Sequence, residues 1–510
     1  MTRSLWRFAG VVVVAGGLVT AGVAVAARQA PEPVDAPVNA KIRDEGLHRS
    51  QVAELFSTLV DDIGPRLASS PAYTRAAAWA RDRMTGWGLA NVHQEPFDFG
   101  RGWTLDRFTI EMVSPRYMPL VGYPEAWCPS TSGEVVARAV SLAGRSADDV
   151  ERLGASLAGA AVLQAPPVDN FIRTDREQPT DRADDPPPPD AARGRGQAGR
   201  GRGRGGRGGA PSDAARIAAA IRTSGAAVLL KPSRGEHGTL FVQAGRGENP
   251  DDPVPKVVLI GEHYNLIARL LARGEDVRLR VNVQGRLHDE RQTYNVLGEI
   301  PGSDPSIAGE VVMLGAHLDS WHTATGATDN ADGVAASLEA FRILKAIGAR
   351  PRRTVRLALW AAEEEGLLGS RAWAAAHLAA DAPAAARERV SVYFNIDPGK
   401  GPIYGWYLQG NQAVAPIFDA WLAPFRDLGA RRNVQQSIGS TDHLSFIDEG
   451  VPGFNPVQDY TNYDVREHHT NVDTAERIDV ADLQQNAIVL ASFVYHAANR
   501  VEPLPSDVRR

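Results

Sequence analysis

Cysteine is all but absent from this chain: Cys128 is the only one among 510 residues. An internal disulfide is therefore excluded, and so is any zinc site built on thiolates. If the chain holds a metal, His, Asp and Glu must hold it. A strong excess of one charge sign is missing as well. The net charge of −6 gives no electrostatic reason to expect nucleic acid or an anionic membrane as partner. What is present is ordinary for a globular protein. The hydrophobic share is 43 %, ample for a large core, and the length suggests about two or three domains.

One long apolar run, Phe8–Ala27, follows Arg3 and Arg7 and ends near Ala24-Val25-Ala26, the small side chains a signal peptidase prefers. Residues 1–27 read as a cleaved signal peptide. The run is also just long enough to span a bilayer, so a retained N-terminal anchor is the competing reading. In both cases the folded part is exported, to a periplasm or to the extracellular space. Residues 28–41, rich in Pro and Ala, read as a tether, and residues 504–510 as a tail.

Within Ser50–Ile63, Val52, Leu55, Phe56, Leu59 and Val60 recur at helical spacing, and Gly64-Pro65 ends that helix. A helix over Pro71–Gly86 and the strand-like runs NVHQEPFDF and FTIEMV complete residues 42–119, the expected first part of a catalytic domain. Short strands and turns (GEVVARAV, GAAVLQA, GAAVLLK, KVVLIG) mark residues 120–287 as a smaller inserted domain. Inside it, residues 166–211 are of low complexity, with Pro186–Pro189 and an Arg/Gly run from Arg193 to Gly209. Such a run can bind RNA. In an exported chain it reads instead as a disordered surface loop, because too few apolar groups are present to fold it.

Residues 288–503 form the expected main part of the catalytic domain. Apolar strands Val311–Leu314, Thr354–Trp360 and Val390–Ile396 alternate with helices, one of them over Val334–Ile347 with Val334, Leu338, Phe341 and Leu344 on a single face. This alternation predicts an α/β fold, a mainly parallel mixed sheet sandwiched by helices. Three chemical motifs fall just past three successive strand ends, where open α/β sheets bind ligands.

His317-x-Asp319 follows the first strand. His317 is a candidate ligand, and Asp319 is placed to orient its imidazole. Asp329 sits in a loop with Gly326 and Gly333 on either side; its ordinary alternative is a helix N-cap, though Asp332 is the better cap. Glu363, Glu364 and Glu365 follow the apolar run LALWAA. Adjacent carboxylates at the end of a buried strand repel one another unless a cation neutralises them, although a solvated acidic helix start has the same sequence. Asp397 in FNIDPGKG fits a ligand or an Asp-Pro turn. His469, like His468, fits a ligand or a surface histidine, and Asp473 is near enough in sequence to orient it. Together, two histidines and three carboxylates suit a pair of divalent, zinc-like ions, with one glutamate left for proton transfer.

GAHLDSW, GATDNADG, WAAEEEGLLGS, NIDPG and HHTNVDT, in that order, resemble the five consecutive motifs of the co-catalytic di-zinc aminopeptidase family. GAHLDSW, with Asp329 twelve residues after His317, is most similar to its plasma glutamate carboxypeptidase branch. The earlier segment resembles the family's protease-associated insertion. The resemblance implies two zinc ions per chain, with another divalent metal left open. His317 and Asp397 would serve one ion, Glu364 and His469 the other, and Asp329 would bridge them through a residue followed by a cis peptide. Glu363 would be the general base for a metal-bridged water and Asp319 the orienter of His317.

One departure stands out: where some members carry a tyrosine that polarises the scissile carbonyl, QSIGSTDHLSF places Ile438, which leaves Tyr460 or Tyr463, or backbone amides, for that task. Asp442 and His443 either shape the pocket or are structural. The implied activity is removal of N-terminal residues from peptides or dipeptides. A carboxypeptidase or dipeptidase of the same family would need a placed Arg466 or Lys400. A single-zinc glutaminyl cyclase or a non-catalytic binding protein are more distant alternatives. Peptide is the expected partner; the oligomeric state is open, a dimer included.

Overall fold

Strand Glu310–His317 is buried along almost its whole length, and its alternate side chains enter different cores. Val312 and Leu314 join the larger cluster, while Val311 and Met313 pack with Trp360, Trp373 and Phe446 on the other face. A strand apolar on both faces belongs in the middle of a sheet covered by helices on both sides, and that is its place in this computed structural model, which describes residues 31–179, 212–244 and 252–506. The seven-stranded sheet runs Ala90–Asp98, Gln292–Ile300, Thr354–Trp360, Glu310–His317, Arg389–Asn395, Gly453–Asp459, Lys400–Tyr407. Its four central strands, from Thr354–Trp360 to Gly453–Asp459, are parallel, and pairing turns antiparallel toward both edges. Helices Asp332–Ala346 and Val480–Asn499 pack against each other on one face. Helices Leu368–His377 and His443–Ile447 cover part of the other.

A second sheet of eight strands has its own apolar core. Its order is Met118–Pro119, Trp103–Ser114, Arg278–Leu287, Val135–Ser141, Ala161–Leu163, Val228–Pro232, Lys256–Leu259, Gly122–Pro124. Trp321, from the loop after His317, is 5 % exposed and packs into this second core. The two cores therefore meet beside the ends of the central strands.

Three local expectations are corrected. FTIEMV belongs to strand Trp103–Ser114, which pairs with Arg278–Leu287 in the second sheet and not with the catalytic one. The partner lies more than 160 residues away, so nothing local in the sequence reveals the pairing. The tether 28–41 is helical from Ala36, in helix Ala36–His48. Pro37 sits in its first turn, where a missing N–H costs nothing, and Asp35 caps it by accepting from the Val38 amide at 3.0 Å. Finally, residues 166–179, expected within a disordered loop, include a segment packed on the loop that follows strand Gly453–Asp459. Asp175 accepts from the amides of Asn462 and Val465, and Arg176 makes a forked pair with Asp464 at 2.6 and 2.8 Å.

Residues 180–211, with the Arg/Gly run, lie outside the described residues, as does the expected signal peptide. No described helix is long and apolar enough to cross a membrane.

Candidate metal centre

His317 is the last residue of its strand, so its side chain leaves the sheet edge beside those of the neighbouring strand ends. The loop after it is held from below by Arg66, which is fully buried and donates to five carbonyls: Leu59, Gly64, Leu318, Thr325 and Gly326. Gly326 takes a left-handed φ of 61° at the turn into Asp329. The Asp329–Asn330 peptide is cis, as the resemblance implied. Asn330 donates to the Ile396 carbonyl at 2.9 Å, which ties the Asp329 turn to the strand end carrying Asp397. Gly333 makes that approach possible, since a Cβ there would lie 2.1 Å from Asn330 Oδ1. On the next strand, Ala362 at φ 56° turns the chain sharply before Glu363.

These devices gather the five residues expected to bind metal. His317 Nε2 lies 3.1 Å from Asp329 Oδ1 and 3.8 Å from Asp397 Oδ1. His469 Nε2 lies 3.2 Å from Asp329 Oδ2 and 2.8 Å from Glu364 Oε2. The two oxygens of Asp329 thus face different histidines, each of which faces one further carboxylate. His317 Nε2, Asp329 Oδ2 and Glu364 Oε1 are buried without a hydrogen-bond partner. Converging orphaned nitrogen and carboxylate oxygen atoms are costly on their own and form the donor set that borderline divalent ions take. By this test the residues fit zinc.

The electrostatics point the same way. Burial alone would raise the Asp329 carboxyl, yet His317 and His469 hold it well below the carboxylate range. Burial opposes protonation of His469, but Glu364 and Asp329 outweigh it and push the imidazole up to about 10. Glu364 is raised to about 7, by burial first and then by Asp329. Such a cluster calls for added positive charge among its carboxylates. Glu363 is raised well above its usual range, chiefly by burial, and it makes no ion pair with either histidine among the described residues.

Several neighbours hold roles that the sequence did not suggest. The Asp319 carboxylate accepts from the amides of Glu363 and Glu364, both at 3.2 Å, and stands 3.7 Å from His317 Nδ1. The closer acceptor for that nitrogen is the Asp319 backbone carbonyl at 3.1 Å. Asp473 does not orient His469. It accepts from the Thr328 amide and hydroxyl at 2.6 and 2.9 Å and so supports the Asp329 turn. His468 is half-buried, stacked on Tyr463 and tilted against His469.

Other groups that the sequence left with two readings now have partners. Asp332 is not an N-cap but the first residue of its helix, bonded to the Gly333 amide. Asp442 accepts from Ser370, and His443 bonds Gln409 and the Ile438 carbonyl, so both are tied into the framework. Tyr460 shares its hydroxyl with Tyr407 at 3.0 Å, whereas the Tyr463 hydroxyl is buried without a partner. Lys400 is taken by Glu467, while among the described residues Arg466 reaches only the Thr239 hydroxyl, at 3.4 Å. Nothing in the sequence points to Arg66, or to Gln243, which lies 2.7 Å from His469 Nδ1. Neither of the two sits in a motif.

Residues 295–494, which carry all five converging residues, match Peptidase family M28. This part of the chain is similar to M28 peptidases. The chain is 26 % identical over 470 residues to carboxypeptidase Q of Bos taurus, an alignment that covers 92 % of this chain and 89 % of the relative. The structure of an M28 peptidase precursor from Shewanella amazonensis superposes with a TM-score of 0.66 at 26 % identity, covering 92 % of this chain and 99 % of that one. A zinc aminopeptidase from Bacillus subtilis shares the fold, with a TM-score of 0.58 at 17 % identity over 90 % of this chain and 98 % of its own. Together these matches support a zinc-dependent peptide hydrolase with the expected mixed α/β fold.

Proposed function

We propose that the chain is an exported exopeptidase that binds two zinc ions and removes N-terminal residues from peptides or dipeptides. The observation that carries this is the split of Asp329 between two histidine–carboxylate pairs, His317 with Asp397 and His469 with Glu364. Zinc bound there would supply Lewis acidity and a water deprotonable near neutral pH. Glu363, whose raised pKa suits a proton shuttle, takes the proton from the attacking water and passes it to the leaving amine. Asp319 holds both glutamate amides, which keeps base and ligand on separate sides of one turn. Tyr463, with its unshared hydroxyl, is the donor for the developing oxyanion in place of the residue missing at Ile438. The second sheet, in the role of the inserted domain, walls the cleft through Trp321, which meets His469 edge-on at 6.2 Å.

A carboxypeptidase is the second reading. Its support is the alignment along nearly the whole chain with carboxypeptidase Q, together with an Arg466 guanidinium that pairs with no carboxylate among the described residues. The deciding experiment uses dipeptides and tripeptides with free, N-acetylated or C-amidated ends, alongside elemental analysis of the same sample. Two zinc ions per chain, turnover abolished by chelation, and rejection of N-acetylated substrates support the first reading. Rejection of C-amides alone supports the second, and a fully active preparation with one ion would overturn the two-metal centre.

A further inference from the structure

We infer that Gln243, from the second sheet's side of the cleft, positions His469 by accepting a hydrogen bond from its Nδ1–H, and that metal affinity depends on this contact. The inference rests on the two-metal reading above. Chain segment 240–243 lies antiparallel to segment 469–471: Phe241 pairs with Thr470, the Val242 amide donates to the His469 carbonyl at 3.3 Å, and Leu240 and Asn471 exchange two bonds at 2.7 and 3.2 Å. This register sets Gln243 Nε2 2.7 Å from His469 Nδ1, and turning the amide over puts Oε1 in the same place.

His469 Nε2 faces Glu364 and Asp329, so that nitrogen is the one available to a metal. An imidazole that binds metal through Nε2 carries its proton on Nδ1, and that proton needs an acceptor. Among the described residues no carboxylate serves: Asp473 is engaged by Thr328. Gln243 is the side chain in reach. Its amide oxygen and nitrogen are alike in shape, and only the oxygen can accept, so the oxygen must be the atom that faces the ring. His469 stands at a left-handed φ of 62° on a loop rather than at a strand end. It therefore stands outside the sheet that holds His317, and the orientation of its ring depends on what packs from across the cleft. The two parts of the fold thus meet at a single metal-binding group.

The test is zinc binding to chelator-stripped protein, followed by calorimetry or by competition with a chromophoric chelator. Gln243→Ala is expected to weaken one of the two binding steps by about 10–100-fold, and Gln243→Glu, which keeps an acceptor, to stay within a few-fold of wild type or above it. Melting of the metal-free variants should match wild type, because Gln243 is exposed apart from this contact. Both steps unchanged in Gln243→Ala would overturn the inference while leaving the two-metal reading intact. Wild-type protein that takes up no zinc would overturn that reading, and the inference with it.

Discussion

Glu363 and Glu364 are neighbours in sequence, yet the fold separates their side chains. Glu364 reaches His469 at 2.8 Å, whereas Glu363 makes no such pair. Glu363→Gln keeps size and polarity but cannot accept a proton. It should retain both metals and lose turnover by roughly 10²–10⁴, the usual share of general base catalysis. Glu364→Gln should lower metal occupancy instead, and metal stoichiometry with steady-state kinetics on both variants separates the roles; the opposite pattern reverses them. Tyr463 allows a second test. Its buried hydroxyl has no partner and Tyr460's does, so Tyr463→Phe should lower kcat by roughly 10²-fold with KM little changed, while Tyr460→Phe leaves kcat near wild type. Equal losses in the two variants would remove Tyr463 from the reaction. At this scale the sequence was a good guide to which side chains converge at the strand ends, because imidazole and carboxylate placed there have few other uses. It misjudged their supports: Asp473 was free to bond several groups, and only the packed loop shows that Thr328 is the one.

Among the elements, the loop after His317 depends on Arg66, which sits beyond a helix end marked only by Gly64-Pro65. Arg66→Ala would remove a guanidinium donor from five carbonyls, four of them buried, and should cost roughly 3–5 kcal/mol, measured by denaturation of metal-stripped protein. Arg66→Lys should recover only part, because an ammonium cannot fork to acceptors spread over two loops. A loss below about 1 kcal/mol in the alanine variant would show that water replaces the guanidinium. The segment before the Arg/Gly run is the other element to test. Replacing residues 180–211 with a flexible Gly/Ser linker should leave melting and turnover close to wild type. Extending the cut back to Arg173 removes Asp175 and Arg176 from the loop at residues 460–469, which carries His469, and should lower both metal affinity and kcat/KM. Identical behaviour of the two variants would mean that the Asp175–Arg176 contacts are dispensable. Composition did not reveal the packing of residues 173–178, because RTDREQ is polar throughout. That packing comes from a charge pair and from stacking of Arg176 over Tyr460 and Tyr463 at 4.9 and 5.3 Å.

For the whole molecule, the parallel centre of the catalytic sheet was legible in the sequence. A strand buried on both faces must be apolar at every position, and a crossover helix must show a single apolar face; local pattern carries both facts. The order of the strands, the antiparallel edges and the entry of Trp103–Ser114 into the second sheet were not legible, since each depends on pairing between distant segments that share no local signal. The same division holds for function. From sequence alone came the identities and spacing of His317, Asp329, Glu364, Asp397 and His469, and with them the chemistry of a metallopeptidase, because a reaction restricts which side chains can perform it. Only the tertiary structure decided which atoms face one another, that Arg66 and Gln243 belong to the site, and that part of an apparently structureless stretch braces it. These are contacts between surfaces brought together by folding, and a hydrogen bond across such a surface leaves no periodicity in the chain.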